Sequence, residues 1–394
     1  MIKLKRRISF KIGLVGLLVL MVSLWAVTAL AQERPEITTI CQEHITFGKD
    51  ASEEAIVTWR SSEENAEGYV KYWPADTERS ENELQSDSET HGYRYARDNV
   101  YLYDARLTDL KADTLYNYQI YCAGEKSPQY SFYTAPEPGS DKGFTFVVMG
   151  DSRGGYDIFG QLMRYAYEAG ARFVLFTGDM TDGASQPEWD YWFAGAEDTM
   201  PNLPLMPLHG NHEVMSQTYF DQFFLPDNEE SYSFNYGMIH WSIVLDNSQE
   251  LIASYKDWLE EDLTDSNVKW KFIGTHKPFY STVKGQDDQE SPRHQLLDIV
   301  QENGVAMTVA GHKHNYERFY PMLDGKKAED GIIHLVTGGA GAPLYPFGPE
   351  QEITAKKELA YHLVIYTITS DMMKATVKGV NGNIIDEFVV YPRG

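Results

Sequence analysis

The stretch MTVAGHKHNYER, residues 307–318, opens as an apolar run and stops at a glycine that is followed by His312 and His314. Alternate side chains of an extended segment point to the same side, so the two imidazoles can approach one point. Gly311 has no side chain, which permits a sharp turn and a close approach of neighbouring backbones. The stretch therefore predicts a buried strand that ends in a pair of metal-binding imidazoles.

Four earlier apolar runs end in the same manner. Each stops at a glycine or threonine before a potential ligand, and the endings are Gly150-Asp151, Gly178-Asp179, Gly210-Asn211-His212-Glu213 and Thr275-His276. Taken singly, a Gly-Asp ending is more often a turn or helix cap, and a lone histidine is more often a buried hydrogen-bonding residue. Groups just beyond the carboxyl ends of strands in an open α/β sheet converge on one crevice. The five endings together therefore predict one shared site.

The types of side chain at this site indicate its chemistry. Carboxylates, a carboxamide and imidazoles without a thiolate suit zinc, manganese and iron. Two cations that share a carboxylate can bind both ends of an in-line phosphoryl transfer and acidify a bridging water. The chain has neither the Gly-x-Ser-x-Gly turn of serine hydrolases nor the glycine-rich phosphate loop of nucleotidases that ends in Lys-Ser/Thr.

The chain divides into two kinds of sequence. Residues 37–133 form short alternating runs between polar turns, which predicts a β-sandwich of roughly 100 residues. Within it, Leu110 to Tyr116 resembles the tyrosine corner of fibronectin type III domains. After Lys142, apolar strands alternate with helical segments, which predicts an α/β domain.

The N-terminus has the layout of an export signal. Five basic residues precede an apolar run over 12–30, which ends at Ala29-Leu30-Ala31. We expect residues 1–31 to be a cleaved signal peptide, although a run of about 20 apolar residues is also long enough for an uncleaved membrane anchor. The mature chain should then be secreted, periplasmic or at the cell surface, with no further membrane segment. Such a compartment permits a disulfide between Cys41 and Cys122, and two buried thiols are the alternative.

Composition excludes several classes of protein. The 394 residues are 42% hydrophobic, enough for a substantial core. The net charge of −24 makes binding of nucleic acid by charge alone improbable. The presence of only two cysteines excludes a disulfide-dense scaffold and a four-thiolate zinc site.

The order of the five endings resembles that of the calcineurin-like metallophosphoesterase superfamily. The segment GHKHNYER (311–318) with the preceding sandwich resembles the purple acid phosphatase branch. This resemblance implies a fibronectin type III-like N-terminal domain over 35–135 and a four-layer α/β/β/α metallophosphoesterase domain over 142–394. It also implies a metal-dependent, acid phosphatase-like hydrolase with two divalent or trivalent ions of iron, zinc or manganese.

The resemblance further implies a role for each ligand. Asp179 matches the carboxylate that bridges both metals. The remaining metal ligands are Asn211, His276 and His312 for one ion, and Asp151 and His314 for the other. His212 matches the outer histidine that protonates the leaving-group oxygen or holds the phosphate, and its alternative role is to orient Asn211 or Glu213.

Two positions depart from the family pattern. Asp182 stands where purple enzymes have the tyrosine ligand that gives their colour, so the resemblance implies a protein that is not purple. Arg153 stands where other members have a ligand histidine. Asp182 or water could complete the first metal site, or the site is weak; Arg153 could grip a phosphate or pair with Asp182.

We therefore expect an exported binuclear-metal phosphoesterase that acts on small phosphomonoesters, with diesters as a second substrate class, by attack of a metal-activated water. The alternative is a non-catalytic exported binding module whose sandwich recognises a glycan or protein and whose second domain is degenerate. The sequence leaves the substrate, the metals and the oligomeric state open.

Overall fold

In the computed structural model, residues 34–96, 98–283 and 288–393 are described. The predicted signal peptide, residues 1–31, lies outside the described residues. Within those ranges, the structure contains no helix with the length and apolar character needed to cross a membrane.

The N-terminal part is an antiparallel β-sandwich, as the alternating sequence pattern predicts. Its strands pair in the order β1-β2-β5-β4-β3-β6-β7, and β8 adds to β6. The elements are β1 (Cys41–Phe47), β2 (Ala55–Ser61), β3 (Gly68–Pro74), α1 (Arg79–Asn82), β4 (Leu84–Tyr95), β5 (Asp98–Leu107), β6 (Leu115–Cys122), β7 (Glu125–Lys126) and β8 (Tyr130–Tyr133). The twelve-residue strand β4 is largely exposed. It carries few apolar residues, which explains why the sequence pattern did not reveal it.

The C-terminal part alternates strands and helices. The strands are β9 (Phe144–Met149), β10 (Val174–Phe176), β11 (Leu205–Pro207), β12 (Tyr232–Tyr236), β13 (Ile239–Ile243), β14 (Trp270–Thr275), β15 (Val305–Ala310), β16 (Tyr316–Phe319), β17 (Met322–Leu323), β18 (Lys326–Lys327), β19 (Ile333–Thr337), β20 (Thr354–Glu358), β21 (His362–Ile368), β22 (Met373–Gly379) and β23 (Ile384–Val390). The α-helices are α2 (Tyr156–Glu168), α3 (Gln186–Gly195), α4 (Gln217–Gln222), α5 (Gln249–Ser254), α6 (Lys256–Asp265) and α7 (Arg293–Glu302). Short 3₁₀ turns occupy Met200–Asn202, Asn211–Glu213 and Asp288–Glu290. Helices α5 and α6 meet at Tyr255.

Two mixed sheets form the centre of this part. One has the order β11-β10-β9-β21-β22-β23, and the other has the order β12-β13-β14-β15-β19-β16-β20. Aromatic side chains fill the space between them, with the ring centroids of Phe146 and Trp241 6.1 Å apart and those of Phe173 and Phe234 5.8 Å apart. Helix α2 packs on β21 and helix α7 on β15. The architecture is therefore the four-layer α/β/β/α sandwich that the family resemblance implied.

Parallel pairing brings the five predicted strand endings to one edge. Strands β9, β10 and β11 run parallel in the first sheet, and β13, β14, β15 and β19 do so in the second. The carboxyl ends of parallel strands lie at the same edge of a sheet. The segments that follow β9, β10, β11, β14 and β15 carry the predicted ligands.

The sandwich shares one hydrophobic core with the α/β part. Phe47 packs against Tyr236, with ring centroids 5.6 Å apart, and the Tyr118 hydroxyl donates to the Pro201 carbonyl at 2.6 Å. Every residue of β2 is buried. Val57 and Trp59 belong to the hydrophobic core, and Ile56 borders a cavity that residues of α4 also line. Arg60 at the end of β2 forms a buried ion pair with Asp190 of α3.

Both cysteines are free thiols. The Cys41 Sγ lies 3.5 Å from the Arg60 carbonyl, and the Cys122 Sγ lies 3.7 Å from the Ser61 hydroxyl. The disulfide considered from the sequence is therefore absent, and burial raises the pKa of the Cys41 thiol to about 11.

We predict that Arg60→Met strongly destabilises the protein. The substitution leaves the Asp190 carboxylate buried without its main cation, which should lower the free energy of unfolding by about 3–5 kcal/mol in urea denaturation. The matched control is Lys71→Met, whose pair with Glu83 is partly exposed and should contribute little to stability. Equal stability of the two variants would contradict the prediction.

Candidate metal centre

The turn after β10 places Asp179 at the centre of the site. Gly178 has a φ of 85°, and a Cβ there would come within 2.7 Å of the His276 Nδ1 and 2.8 Å of the Gly210 backbone. Asp179 follows with a φ of 55°, a conformation that costs a residue with a side chain of order 1 kcal/mol. Its carboxylate is buried and accepts the His212 backbone N–H at 2.9 Å.

The strand endings after β9 and β15 contact each other. Asp151, after β9, is fully buried and accepts the His312 backbone N–H at 2.9 Å. Asp151 and His312 also have positive φ values, 62° and 63°. Three predicted ligands thus have strained backbones, which a surrounding structure must hold in place.

The side chain of Glu213 fixes the loop that carries Asp179. It is fully buried and accepts four backbone N–H groups at 2.9–3.2 Å, those of Asp179, Met180, Thr181 and Gly210. Burial, and then the charge of Asp179, raise the pKa of Glu213 to about 8. The sequence alone does not assign Glu213 a role of its own; its place directly after the Asn-His pair was the available signal.

The structure brings all six predicted metal ligands together. Ligand atoms of Asp179, His276 and His312 lie within 4.8 Å of one another, and so do those of Asp151, Asp179 and His314. Asp179 is common to both groups. Asn211 joins the first group, because its Oδ1 lies 3.1 Å from the His276 Nε2. The geometry therefore offers two adjacent cation sites with one shared carboxylate.

Backbone carbonyls orient two of the imidazoles. The Nδ1 of His276 donates to the Thr177 carbonyl at 2.8 Å, and the Nδ1 of His314 donates to the Pro343 carbonyl at 2.7 Å. Each Nε2 then faces a carboxylate, at 3.2 Å from Asp179 and 3.4 Å from Asp151. Such outer hydrogen bonds fix the tautomer of a metal-binding histidine. The donor set fits a pair of iron, zinc or manganese ions.

The electrostatics of the cluster favour positive charge at this place. Burial disfavours a charged His276, yet the Asp179 carboxylate outweighs it and raises the pKa of His276 to about 10. Burial likewise opposes the charge of Asp179, but His276 holds the pKa of that carboxyl well below its usual range. Burial, and then the charge of His276, lower the pKa of His312. The buried Asp179 carboxylate thus favours positive charge on the neighbouring His276.

Arg153 lies beside this cluster and pairs with Asp182. Its Nη1 donates to Asp182 at 2.6 Å, its Nη2 to the Tyr345 hydroxyl at 3.0 Å, and its Nε lies 3.8 Å from Asp179. Asp182 belongs to neither of the two potential metal groups found within the described ranges. Its carboxylate is 63% exposed and faces Arg153 and His212. The structure thus supports the ion-pair hypothesis rather than Asp182 as a metal ligand.

Two further side chains border the site. His212 is 28% exposed; its Nδ1 donates to the Asp182 carbonyl at 2.8 Å, and its Nε2 lies 4.0 Å from Asp179. The ring of Tyr345 stacks on His314 with centroids 4.0 Å apart. No sequence signal pointed to Tyr345, since a distant loop delivers it.

Comparison with known proteins agrees with this arrangement. Residues 144–316 match the family Calcineurin-like phosphoesterase, and residues 40–134 match the family Purple acid Phosphatase, N-terminal domain. The Fe(3+)-Zn(2+) purple acid phosphatase 12 of Arabidopsis thaliana is 27% identical over 314 residues, which cover 70% of this chain and 64% of the relative. The purple acid phosphatase of Glycine max is 24% identical over 373 residues, covering 84% and 79%. The aligned part of this chain thus spans less than two thirds of the first relative's length.

Solved structures show the same fold. The purple acid phosphatase PPD1 from yellow lupin seeds superposes with a TM-score of 0.80 at 22% identity, covering 89% of this chain and 74% of that one. A structure of PhoD gives a TM-score of 0.65 at 13% identity, covering 91% and 92%. The fold expected from the family resemblance is confirmed.

We predict that Glu213→Gln weakens metal retention and lowers stability. The new amide would place an N–H against a backbone N–H and leave a buried donor unsatisfied, which costs about 1–3 kcal/mol. Urea denaturation and the zinc content after dialysis measure the two effects. The exposed Glu260→Gln is the matched control. Unchanged zinc content in the Glu213 variant would show that the loop after β10 does not depend on this carboxylate.

Proposed function

We propose that this chain, whose residues 144–316 match the family Calcineurin-like phosphoesterase and whose residues 40–134 match the purple acid phosphatase N-terminal domain, is an exported binuclear-metal phosphatase of small phosphomonoesters. The observation that carries the proposal is the pair of potential metal groups that share Asp179. One ion would be held by Asp179, Asn211, His276 and His312, and the other by Asp151, Asp179 and His314. Two such ions, when bound, stabilise charge on the phosphoryl group and lower the pKa of water.

Arg153 is the proposed phosphate-binding residue. A guanidinium binds phosphate oxygens through a fork of N–H donors. Its pairs with Asp182 and Tyr345 hold this fork beside Asp179, and the side chain is 16% exposed. A phosphate at the proposed metal centre would meet the guanidinium at this exposed edge.

His212 is the proposed proton donor to the leaving group. Its Nδ1 is engaged by the Asp182 carbonyl, which leaves the Nε2 on the side of Asp179. In the hydrolysis, a water oxygen bonds to phosphorus while the phosphorus–oxygen bond to the leaving group breaks. The electron pair stays on the leaving oxygen, which takes the proton of the His212 Nε2.

We further propose that the protein is not purple. Asp182 occupies the position of the family tyrosine and pairs with Arg153, so no tyrosinate comes from that position. The colour would be tested by the visible spectrum of the iron-loaded protein.

The alternative, a non-catalytic exported binding module, drew on the unusual residues Arg153 and Asp182. These two residues form an ion pair with each other, which explains why both depart from the family pattern. The sandwich, which that alternative treats as the binding unit, forms a buried ion pair with the α/β part through Arg60 and Asp190. Both observations favour the enzyme over the binding module.

We predict that His212→Ala separates turnover from metal binding. Loss of the proton donor should lower kcat for p-nitrophenyl phosphate by about 10²- to 10⁴-fold while metal content is unchanged. His312→Ala should remove turnover and metal together. His91→Ala, in the sandwich, is the matched control and should keep both. A folded, metal-loaded protein without turnover of any phosphate ester would refute the proposed function.

A further inference from the structure

A histidine of the sandwich contacts a helix of the α/β part. The Nδ1 of His91, in β4, lies 2.9 Å from the Asp104 carboxylate of β5, and its Nε2 lies 2.9 Å from the Asp221 carbonyl of α4. Both partners are hydrogen-bond acceptors, whereas a neutral imidazole carries a single N–H. The ring can therefore donate to both partners at once only when it is protonated.

The carboxyl end of α4 is a favourable place for such a cation. Asp221 is the last residue but one of this helix. The last carbonyls of a helix have no partner within the helix, and positive charge near them is stabilising. The His91 Nε2 thus supplies a hydrogen bond to α4 from another part of the chain.

The charged groups around His91 are mostly negative. The ring lines a cavity of about 480 Å³ between the sandwich and α4. The other charged residues that line this cavity are Asp87, Glu89, Asp104, Asp221, Glu229 and Arg106. The Nε of Arg106 lies 2.7 Å from the carboxylate of Glu54, so this cation is already paired. The five carboxylates therefore favour positive charge on the ring of His91.

The pKa of His91 follows this balance. Burial opposes the charged ring, but the hydrogen bond and the charge of Asp104 outweigh burial and raise the pKa to about 9. A second histidine of the sandwich lies at the same helix end and differs in its partners. The ring nitrogens of His44 face the backbone carbonyls of Gln42 and Gln222, and burial lowers its pKa. His44 is therefore neutral over the range in which His91 loses its proton.

We propose that His91 is a pH-sensitive contact that holds α4 on the sandwich while its ring is protonated and loosens when the ring loses its proton. The neutral ring must give up either the Asp104 carboxylate or the Asp221 carbonyl. The side chain is 36% exposed, so protons reach it from the solvent. This inference goes beyond the proposed hydrolysis and involves none of the proposed metal ligands.

The direction of the pH dependence follows from the two states of the chain. The pKa of about 9 in the folded protein lies above the ordinary histidine value of 6.5 that holds in the unfolded chain. The contact therefore contributes its full stabilisation below about pH 6.5 and loses it as the pH rises through about 9.

The test compares thermal unfolding of the wild type and His91→Gln, both as metal-loaded full chains, between about pH 6 and about pH 10. Glutamine keeps a neutral side-chain donor and cannot take up a proton. The wild type should have the higher unfolding midpoint by about 2 °C at the acid end. This difference should disappear at the alkaline end, and a difference that is the same at every pH would overturn the proposal.

The matched control is Asp104→Asn. The asparagine oxygen can still accept from the Thr58 hydroxyl, but the charge beside His91 is gone. In this background, His91→Gln should no longer change the midpoint above about pH 7.

NMR titration of the histidine rings gives a second readout that does not depend on stability. The spectrum of His91→Gln assigns the signal of His91 in the wild type. A ring that titrates near pH 9 supports the proposal. Titration at or below the ordinary histidine value would refute it, even if His91→Gln lowers the midpoint.

Discussion

The arrangement of the site depends on the carboxylate of Asp179. It is buried at the end of β10, belongs to both potential metal groups and accepts the backbone N–H of His212. Its position requires Gly178, because the backbone of Gly210 and the ring of His276 pack where a side chain would stand. The same close approach that strains the backbone brings carboxylates and imidazoles from two sheets within reach of one cation.

The sandwich contributes to the site through helix α3. Arg60 of the sandwich pairs with Asp190 of this helix. The Asp190 carboxylate also accepts a hydrogen bond from the side-chain amide of Gln186, in the first turn of the helix, at 2.8 Å. Glu188, in the same turn, accepts the Asp182 backbone N–H at 3.1 Å. Asp182 in turn contacts Arg153 and His212. A buried ion pair between the two parts of the chain thus supports the loop that positions the proposed substrate-binding groups. The sandwich therefore contributes to the structure of the site.

Charge is distributed unevenly in this acidic molecule. Arg153, His212 and His276 lie within 4.0 Å of the Asp179 carboxylate. Low-dielectric surroundings strengthen each of these interactions relative to water. A negatively charged substrate would therefore meet the cation Arg153 at this site, although the chain as a whole carries a net charge of −24.

The sequence by itself determined the order of ligands, their strand endings and the two-part architecture, because apolar runs, glycine turns and alternation are local properties of the chain. It also identified Asp182 and Arg153 as departures, but their pairing required the distance between two loops. Glu213, Tyr345 and the Arg60–Asp190 pair emerged only from the tertiary structure. The roles of these residues depend on where a side chain points and on which distant segment packs against it. Residues from 60 to 345 come together only when both sheets and the sandwich pack around a single core.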